Sequence, residues 1–254
     1  MQSDSAGDHL QIKQLADYTE CIRSKLRSRA RQLSRVRDSS LPSSSSVSIN
    51  IGEDSDNRYR LINDLDQLLC QAKGLDPFLR SKVQEWAISS KAFMPVSDPL
   101  HPTEIVYKCW TEIAQDPNMR SATRWAKLKS RQRAVEKLFR CYRFDVSRLL
   151  DCCRQSLYFE DVRGIHECMR IIESDPSVEL MRLCNKLQPS YNAKISAGYR
   201  DVLINLRLKT EETRRLCIDL HVCEVQLVLI DFAKTKVSQR SPQLFRPKRS
   251  GVPG

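Results

Sequence analysis

The stretch Ser196–Leu229, SAGYRDVLINLRLKTEETRRLCIDLHVCEVQLVL, contains two runs that alternate in the manner of half-buried strands. In the first run, Tyr199–Leu208, the aliphatic side chains at every second position share one face: Val202, Ile204, Leu206 and Leu208. In the second run, His221–Leu229, the side chains that share a face are Cys223, Val225, Leu227 and Leu229. Tyr199 and Glu224 therefore point away from the aliphatic faces, and periodicity alone predicts a solvated Glu224.

The composition predicts a soluble protein with a basic surface. A chain of 254 residues, 41% of them hydrophobic, is long enough for one large or two small domains with a core. No apolar run approaches the length of a membrane span, and the N-terminus lacks the pattern of a signal or transit peptide, which predicts a cytoplasmic or nuclear location. The net charge of +11 favours a polyanionic partner such as nucleotide phosphates, nucleic acid or an acidic membrane surface.

The ten cysteines do not follow the spacing of a disulfide scaffold or a zinc site. They are scattered singly, apart from the adjacent Cys152 and Cys153, and no CxxC motif occurs. This distribution is typical of small buried side chains in a reducing compartment.

The N-terminal third of the chain divides into a basic helix, a linker and a helical region. Residues 10–38 are predicted to form a helix with a basic second half, which is either a solvated accessory helix, a contact for nucleic acid or another acidic surface, or a docking arm. Residues 39–57 are a serine-rich linker. Asp56–Ala92 is predicted to form two helices, the first ending near Gly74 and the second spanning Pro77–Ser90.

The next segment is predicted to be a loop followed by a helix. Three prolines mark the loop: Pro95, Pro99 and Pro102. A helical pattern resumes over Thr103–Ile113. Neither these residues nor the preceding helices carry recognisable chemistry, so residues 58–119 are interpreted as a helical support region.

Ser121–Leu150 carries the densest group of basic residues next to an apolar stripe. The basic side chains are Lys127, Lys129, Arg131, Arg133 and Lys137. A basic loop that leads into a helix can bind phosphate groups, because the helix N-terminus adds partial positive charge.

The remaining elements predict a mixed fold. Asp151 precedes a short strand, Ser156–Phe159, which is followed by a helix, Val162–Ile172, and by a strand or strand edge, Glu179–Leu187. With the two strands of Ser196–Leu229, this order predicts a mixed α/β (α+β) fold with adjacent C-terminal strands.

Several of these segments together resemble the RelA/SpoT nucleotidyltransferases, the alarmone synthetases that make guanosine tetra- and pentaphosphate. The matching segments are KLKSRQRAVEKL at Lys127–Leu138, Asp151, GYRD at Gly198–Asp201 and CEVQL at Cys223–Leu227. The resemblance covers roughly residues 120–235, and the chain is also similar to a divergent protist and algal branch of this superfamily. It implies a mixed, largely antiparallel sheet of nucleotidyltransferase type, flanked by helices.

The resemblance also implies a reaction, namely transfer of pyrophosphate from ATP to the 3′-hydroxyl of GDP or GTP. Lys127, Lys129 and Lys137 would bind the triphosphate, and Arg133 belongs to the same predicted nucleotide-binding set. Asp151 and Glu224 would hold Mg²⁺, with Glu224 also accepting the proton of the attacking hydroxyl. Tyr199 would stack on the guanine. Magnesium prefers such hard oxygen ligands, and phosphoryl-type transfer depends mainly on positioning and charge neutralisation.

The sequence departs from the family pattern in its acceptor-binding half. Leu203 stands where a histidine is expected, and Val228 and Leu229 replace an Arg-Thr pair. The alternative is therefore a catalytically inactive domain of the same fold that binds nucleotide or RNA. The predicted organisation is a basic helix at 1–38, a linker at 39–57, a support region at 58–119, a nucleotidyltransferase-like domain at 120–238 and a disordered tail at 239–254. The oligomeric state is left open.

Overall fold

The computed structural model describes residues 4–39, 62–98 and 104–238. Its helices are α1 (Asp4–Ser39), α2 (Leu65–Ser90), α3 (Trp110–Ile113), α4 (Pro117–Ala122), α5 (Arg131–Lys137), α6 (Val162–Ser174), α7 (Glu211–Arg215) and α8 (Ile230–Ser238). Its strands are β1 (Phe93–Ser97), β2 (Ile105–Cys109), β3 (Arg154–Phe159), β4 (Val178–Asn185), β5 (Val202–Leu208) and β6 (Cys223–Leu229).

The strands form one sheet in the order β2-β1-β3-β6-β5-β4. The β3–β6 pair is parallel, and the other strand pairs are antiparallel. Helices α2 and α6 pack together against the sheet, and α1 packs against both α6 and β4. The predicted mixed, largely antiparallel sheet flanked by helices, with an N-terminal helix, is therefore confirmed.

The two C-terminal strands pair as their alternation predicted. Strand β5 runs antiparallel to β6, with Val202 opposite Leu227 and Leu206 opposite Cys223. These aliphatic side chains are buried beside those of β3. Glu224 lies on the other face of β6, as predicted, but it is only 8% exposed and is not the solvated glutamate that periodicity suggested.

Helix α2 is one continuous helix, so the prediction of two helices was wrong. Gly74 and Pro77 both lie inside it. Its buried side chains recur at helical spacing through both residues: Leu68, Ala72, Leu75, Leu79, Val83 and Trp86. Because this uninterrupted stripe packs into the core, its burial outweighs the hydrogen bond that the proline cannot donate.

Where a proline-rich loop followed by a helix was predicted, the described residues form two antiparallel strands, β1 and β2, and then a four-residue helix, α3; Pro99 and Pro102 lie outside the described residues. Strand β1 pairs with β2 along its length, with Pro95 opposite Tyr107. The proline is tolerated because β1 pairs with β3 only at Phe93 and Tyr158, so that the missing N–H of Pro95 removes no hydrogen bond of the β1–β3 ladder. The Pro95 carbonyl accepts a hydrogen bond from the Arg124 backbone N–H instead.

Helix α1 confirms the predicted N-terminal helix but is not a solvated accessory. Leu15, Thr19 and Ile22 are buried, and the Tyr18 hydroxyl donates to Glu173 of α6. Most of the described basic residues of its second half are exposed, although Arg23 is half-buried and donates to the Leu183 carbonyl, and Lys25 pairs with Glu173. The helix is therefore anchored to the sheet layer by one apolar face.

Two of the predicted regions lie outside the described residues. These are most of the serine-rich linker at 39–57 and the tail at 239–254. Across the parts of the chain that the structure does describe, no helix has both the length and the apolar character of a membrane span.

Candidate active site

Two lysines converge on one buried carboxylate at the N-terminal end of β3. The Nζ atoms of Lys129 and Lys137 lie 2.7 Å and 2.9 Å from Oδ2 of Asp151. Burial alone would raise the pKa of Asp151, but the hydrogen bonds from both lysines outweigh it and lower that pKa. The other oxygen of this carboxylate, Oδ1, is buried without a hydrogen-bond partner.

The loop that carries Lys129 is held by backbone contacts to the strand. The backbone N–H of Lys129 donates to the carbonyl of Cys152 over 3.1 Å, which fixes the lysine next to Asp151. Helix α5 then begins at Arg131, where the Ser130 hydroxyl accepts from the backbone N–H of Arg133. Lys137 sits in the last turn of α5 and returns to the same carboxylate.

A buried glutamine fixes the start of this loop. The side-chain oxygen of Gln155 accepts from the backbone N–H of Ala126 at 3.1 Å, and its amide nitrogen donates to Oδ1 of Asp76 at 3.0 Å. Asp76 is in turn paired with Arg80, 2.8 Å away. This network ties the basic loop to α2 and was missed by the sequence reasoning. The sequence did contain an indication of it, because Gln155 is a polar residue on the strand face that it shares with the apolar Leu157 and Phe159.

Glu224 lies beside Asp151 at the same end of the sheet. Its backbone N–H donates to the carbonyl of Cys153, and its strand neighbours are Arg154 on β3 and Asn205 on β5. One carboxylate oxygen accepts from the side-chain amide of Gln226 at 2.8 Å. Burial raises the pKa of Glu224, and the negative charge of Asp151 raises it further.

The two carboxylates fit a divalent cation by their chemistry. A buried, unpartnered oxygen on Asp151 and a neighbouring glutamate with a raised pKa form an electron-rich pair of hard oxygen ligands. Mg²⁺ is typically bound through one or two carboxylates, with phosphates and water completing its shell. No cluster of three or more His, Cys, Asp or Glu ligands occurs in the described residues, so the protein alone would supply only part of such a shell.

The remaining predicted residues are not part of this cluster. Lys127 is exposed on the loop, and Arg133 is exposed and paired with Glu136 at 2.9 Å. Tyr199 precedes β5, whose first residue, Val202, pairs with Leu227. Because Glu224 pairs with the other half of β5, the strand register puts Tyr199 beyond the opposite end of the ladder. The roles expected for Lys127, Arg133 and Tyr199 remain predictions.

The comparisons with known proteins leave the family of this chain open. No family model matches the sequence, and no curated protein matches it. Among solved structures, the chain is similar to the Type VI effector Tas1, seen in a crystal structure of its complex with its immunity protein. The TM-score is 0.39 and the identity 12%, over 73% of this chain and 87% of that chain. A likeness this distant decides neither fold nor function, so the resemblance to RelA/SpoT enzymes remains a prediction from the sequence.

Proposed function

We propose that this protein is a magnesium-dependent transferase that moves a pyrophosphoryl group from a nucleoside triphosphate, ATP, to the 3′-hydroxyl of a guanosine nucleotide, GDP or GTP. One observation carries the proposal. A buried carboxylate, Asp151, has one oxygen bound by two lysines and the other unpartnered, with a second buried carboxylate, Glu224, beside it. Perturbed acidic groups next to concentrated positive charge are typical of sites that handle phosphate.

Lys129 and Lys137 would hold the triphosphate. Both ammonium groups already converge on one point, and an incoming phosphate would share them with Asp151. Such sharing neutralises phosphate charge without a large movement of either side chain. Catalysis of this kind depends on positioning and electrostatics more than on covalent steps by the protein.

Glu224 would act as the general base. The 3′-oxygen of the acceptor forms a bond to the β-phosphorus of the donor, the bond from that phosphorus to the α–β bridging oxygen breaks, and the nucleoside monophosphate leaves. The proton of the attacking hydroxyl passes to the Glu224 carboxylate, whose raised pKa makes it a stronger base than an ordinary glutamate. When bound by Asp151 and Glu224, Mg²⁺ would supply charge neutralisation at the phosphate oxygens.

The test is transfer from labelled ATP to GDP or GTP, with and without Mg²⁺. We expect magnesium-dependent product with the wild type and a loss of at least about 100-fold with Glu224→Gln, the usual range for a general base. Glu160→Gln is the matched control, because Glu160 is an exposed carboxylate just beyond β3. Product formation that survives Glu224→Gln, or that is absent from the wild type with every acceptor, would refute the proposal.

A second candidate is a binding domain without turnover. The placement of Tyr199 away from Glu224 favours it, because the predicted guanine-stacking group then lies apart from the carboxylates. In that case the wild type binds nucleotide or RNA with a steep salt dependence and gives no product. Titration with ATP and with single-stranded RNA at two salt concentrations separates this outcome from the absence of any ligand.

A further inference from the structure

Strand β2 forms one edge of the sheet. It stands at the end of the strand order, and β1 is its only partner among the described strands. The backbone hydrogen bonds at both ends of this pair fix its pattern: the Asp98 N–H donates to the Glu104 carbonyl, and the Trp110 N–H donates to the Ala92 carbonyl. Glu104 and Trp110 therefore direct their backbone groups toward β1.

The backbone groups of the residues between them alternate in direction. In an antiparallel pair, successive residues of a strand point their N–H and C=O groups to opposite sides of that strand. Because Glu104 points toward β1, so do Val106 and Lys108. The backbone groups of Ile105 and Tyr107 point to the outer side, where the edge can accept a further strand.

The side chains on the exposed face of this edge carry one charge of each sign. Glu104, Val106 and Lys108 lie on the same face, and all three are exposed. Among the described residues, neither Glu104 nor Lys108 forms an ion pair. An acidic and a basic side chain thus stand at equal distances on either side of Val106, which is itself 38% exposed.

This arrangement is complementary to itself when a second copy pairs in the antiparallel direction about a two-fold axis at Val106. Ile105 then lies opposite Tyr107 of the second copy, and these outward-pointing residues exchange both backbone hydrogen bonds. Val106 meets its own counterpart, and Glu104 meets Lys108 of the second copy on each side of the axis. These pairs are of the non-hydrogen-bonded kind, in which the side chains approach most closely.

The charges select this register over its neighbours. An axis at Ile105 would place Glu104 opposite the apolar Val106, and an axis at Tyr107 would place Lys108 opposite Val106. A lysine on a short edge strand usually prevents pairing with another chain. In the register centred on Val106 the lysine is instead matched by a carboxylate, so the protection does not apply to a second copy of this chain.

We propose that the β2 edge is a self-association surface, at which two copies of this protein pair β2 with β2 about Val106 and exchange Glu104–Lys108 ion pairs. The two sheets then continue into each other across the axis, and both copies contribute the same residues, as a two-fold interface requires. The surface includes no residue of the lysine–carboxylate cluster, so the proposal does not depend on the proposed function.

The experiment measures the dimer dissociation constant of the full chain by analytical ultracentrifugation up to about 100 µM. We expect Glu104→Lys and Lys108→Glu each to weaken the dimer by about 10-fold or more, because each places like charges opposite one another on both sides of the axis. The double exchange, Glu104→Lys with Lys108→Glu, should restore the wild-type constant. An equimolar mixture of the two single variants should also associate, since each then meets the opposite charge.

The control is Lys73→Glu, which changes the net charge as Lys108→Glu does but at an exposed position of α2, and it should leave the dimer unchanged. Circular dichroism establishes that each variant is folded, and association of the mixture shows that both single variants keep the edge intact. A wild type that stays monomeric up to about 100 µM overturns the proposal. A dimer that withstands both single reversals, or that neither the double exchange nor the mixture restores, also overturns it.

Discussion

Asp151 and Glu224 lie side by side but differ in how their charge is compensated. Asp151 receives two lysine ammonium groups, whereas the side-chain hydrogen bond to Glu224 comes from a neutral amide, that of Gln226. The first carboxylate is therefore part of the ionic framework of the fold. Among the described residues the second makes no ion pair within 4.0 Å, although the charges of Arg154 and Lys137 partly offset its burial, and the remaining cost in stability is one that a functional role would explain.

This difference predicts opposite effects of removing each charge. Asp151→Asn should lower the free energy of unfolding by about 3 kcal/mol, because it leaves Lys129 and Lys137 without their counter-ion. Glu224→Gln should raise it by about 1 kcal/mol at neutral pH, a gain typical of replacing a functional polar group. Urea denaturation of the two variants against the wild type measures both. A Glu224→Gln variant that is destabilised as much as Asp151→Asn would contradict this assignment.

His221 predicts the acid sensitivity of the fold. Burial lowers its pKa to about 4, its Nε2 is buried without a partner, and its Nδ1 lies 3.4 Å from the side-chain oxygen of Gln71. The unfolded chain binds a proton at this histidine near pH 6.5 and the folded chain only near pH 4, so its contribution to stability is lost as pH falls through that window.

We therefore expect His221→Leu to flatten the pH dependence of stability. The free energy of unfolding of the wild type should fall by about 3 kcal/mol more than that of the variant between pH 7 and pH 4. Urea titrations at pH 7, 6, 5 and 4 give this difference directly. Parallel profiles for the two proteins would show that His221 is already protonated, or already solvated, in the folded state.

At the scale of elements, the sequence predicts the strands and helices whose conformation depends mainly on residues close by in the chain. The alternation of β5 and β6 identifies their buried faces because every second side chain of each strand packs into the same hydrophobic core. It does not predict the burial of Glu224, which depends on the segments around Asp151 and Cys153, about seventy positions earlier. The lysines near Asp151 follow from their motif, but their pairing with its Oδ2 and the anchoring by Gln155 need the tertiary contacts.

The two wrong element predictions share a cause. Gly74, Pro77 and Pro95 are treated by local rules as interruptions, yet the structure keeps a helix across the first two and a strand through the third. In α2 a continuous buried face compensates for the missing hydrogen bond, and in β1 the proline lies where the edge is mostly unpaired. Tertiary context overrides propensity in both.

The end of α2 gives a prediction at this scale. Lys91 is exposed and terminates the helix with φ of 53°, and its backbone N–H donates to the carbonyls of Ala87 and Ile88. Lys91→Gly should raise the free energy of unfolding by about 1 kcal/mol, because glycine adopts this conformation without strain. Ser89→Gly, two positions earlier in the helix, is the matched control and should lower it by about 0.5 kcal/mol. Thermal unfolding that moves in the same direction for both would argue against the strain.

At the scale of the whole molecule, the packing of α1 determines whether the described chain unfolds as one cooperative unit or as two. Its apolar face packs on α6 and β4, and ion pairs join Arg29 to Glu179 and Lys25 to Glu173. Surface ion pairs contribute little, so the buried leucine and isoleucine of α1 hold it in place. The helix is therefore expected to unfold with the sheet.

Leu15→Ala tests this coupling. Leu15 is fully buried, so its truncation should lower the free energy of global unfolding by about 3 kcal/mol. Leu10→Ala, on the same helix but 57% exposed, should change it by less than about 0.5 kcal/mol. Far-ultraviolet circular dichroism and tryptophan fluorescence should give coincident transitions in both variants, since the described tryptophans lie outside α1. Transitions that separate in the Leu15→Ala variant would mean that α1 is an independent unit.

The place of β6 in the sheet sets the order in which the molecule can be assembled during synthesis. The strand joins β2-β1-β3 on one side to β5-β4 on the other, yet it follows all of them in the sequence. A nascent chain in which β6 is still inside the ribosome therefore has two half-sheets, each with an exposed edge that can pair with other chains. Emergence of Cys223–Leu229 covers both edges and brings Glu224 to Asp151 in one step. The pairing of β6 thus removes the edges that can aggregate and completes the Asp151–Glu224 site at the same time.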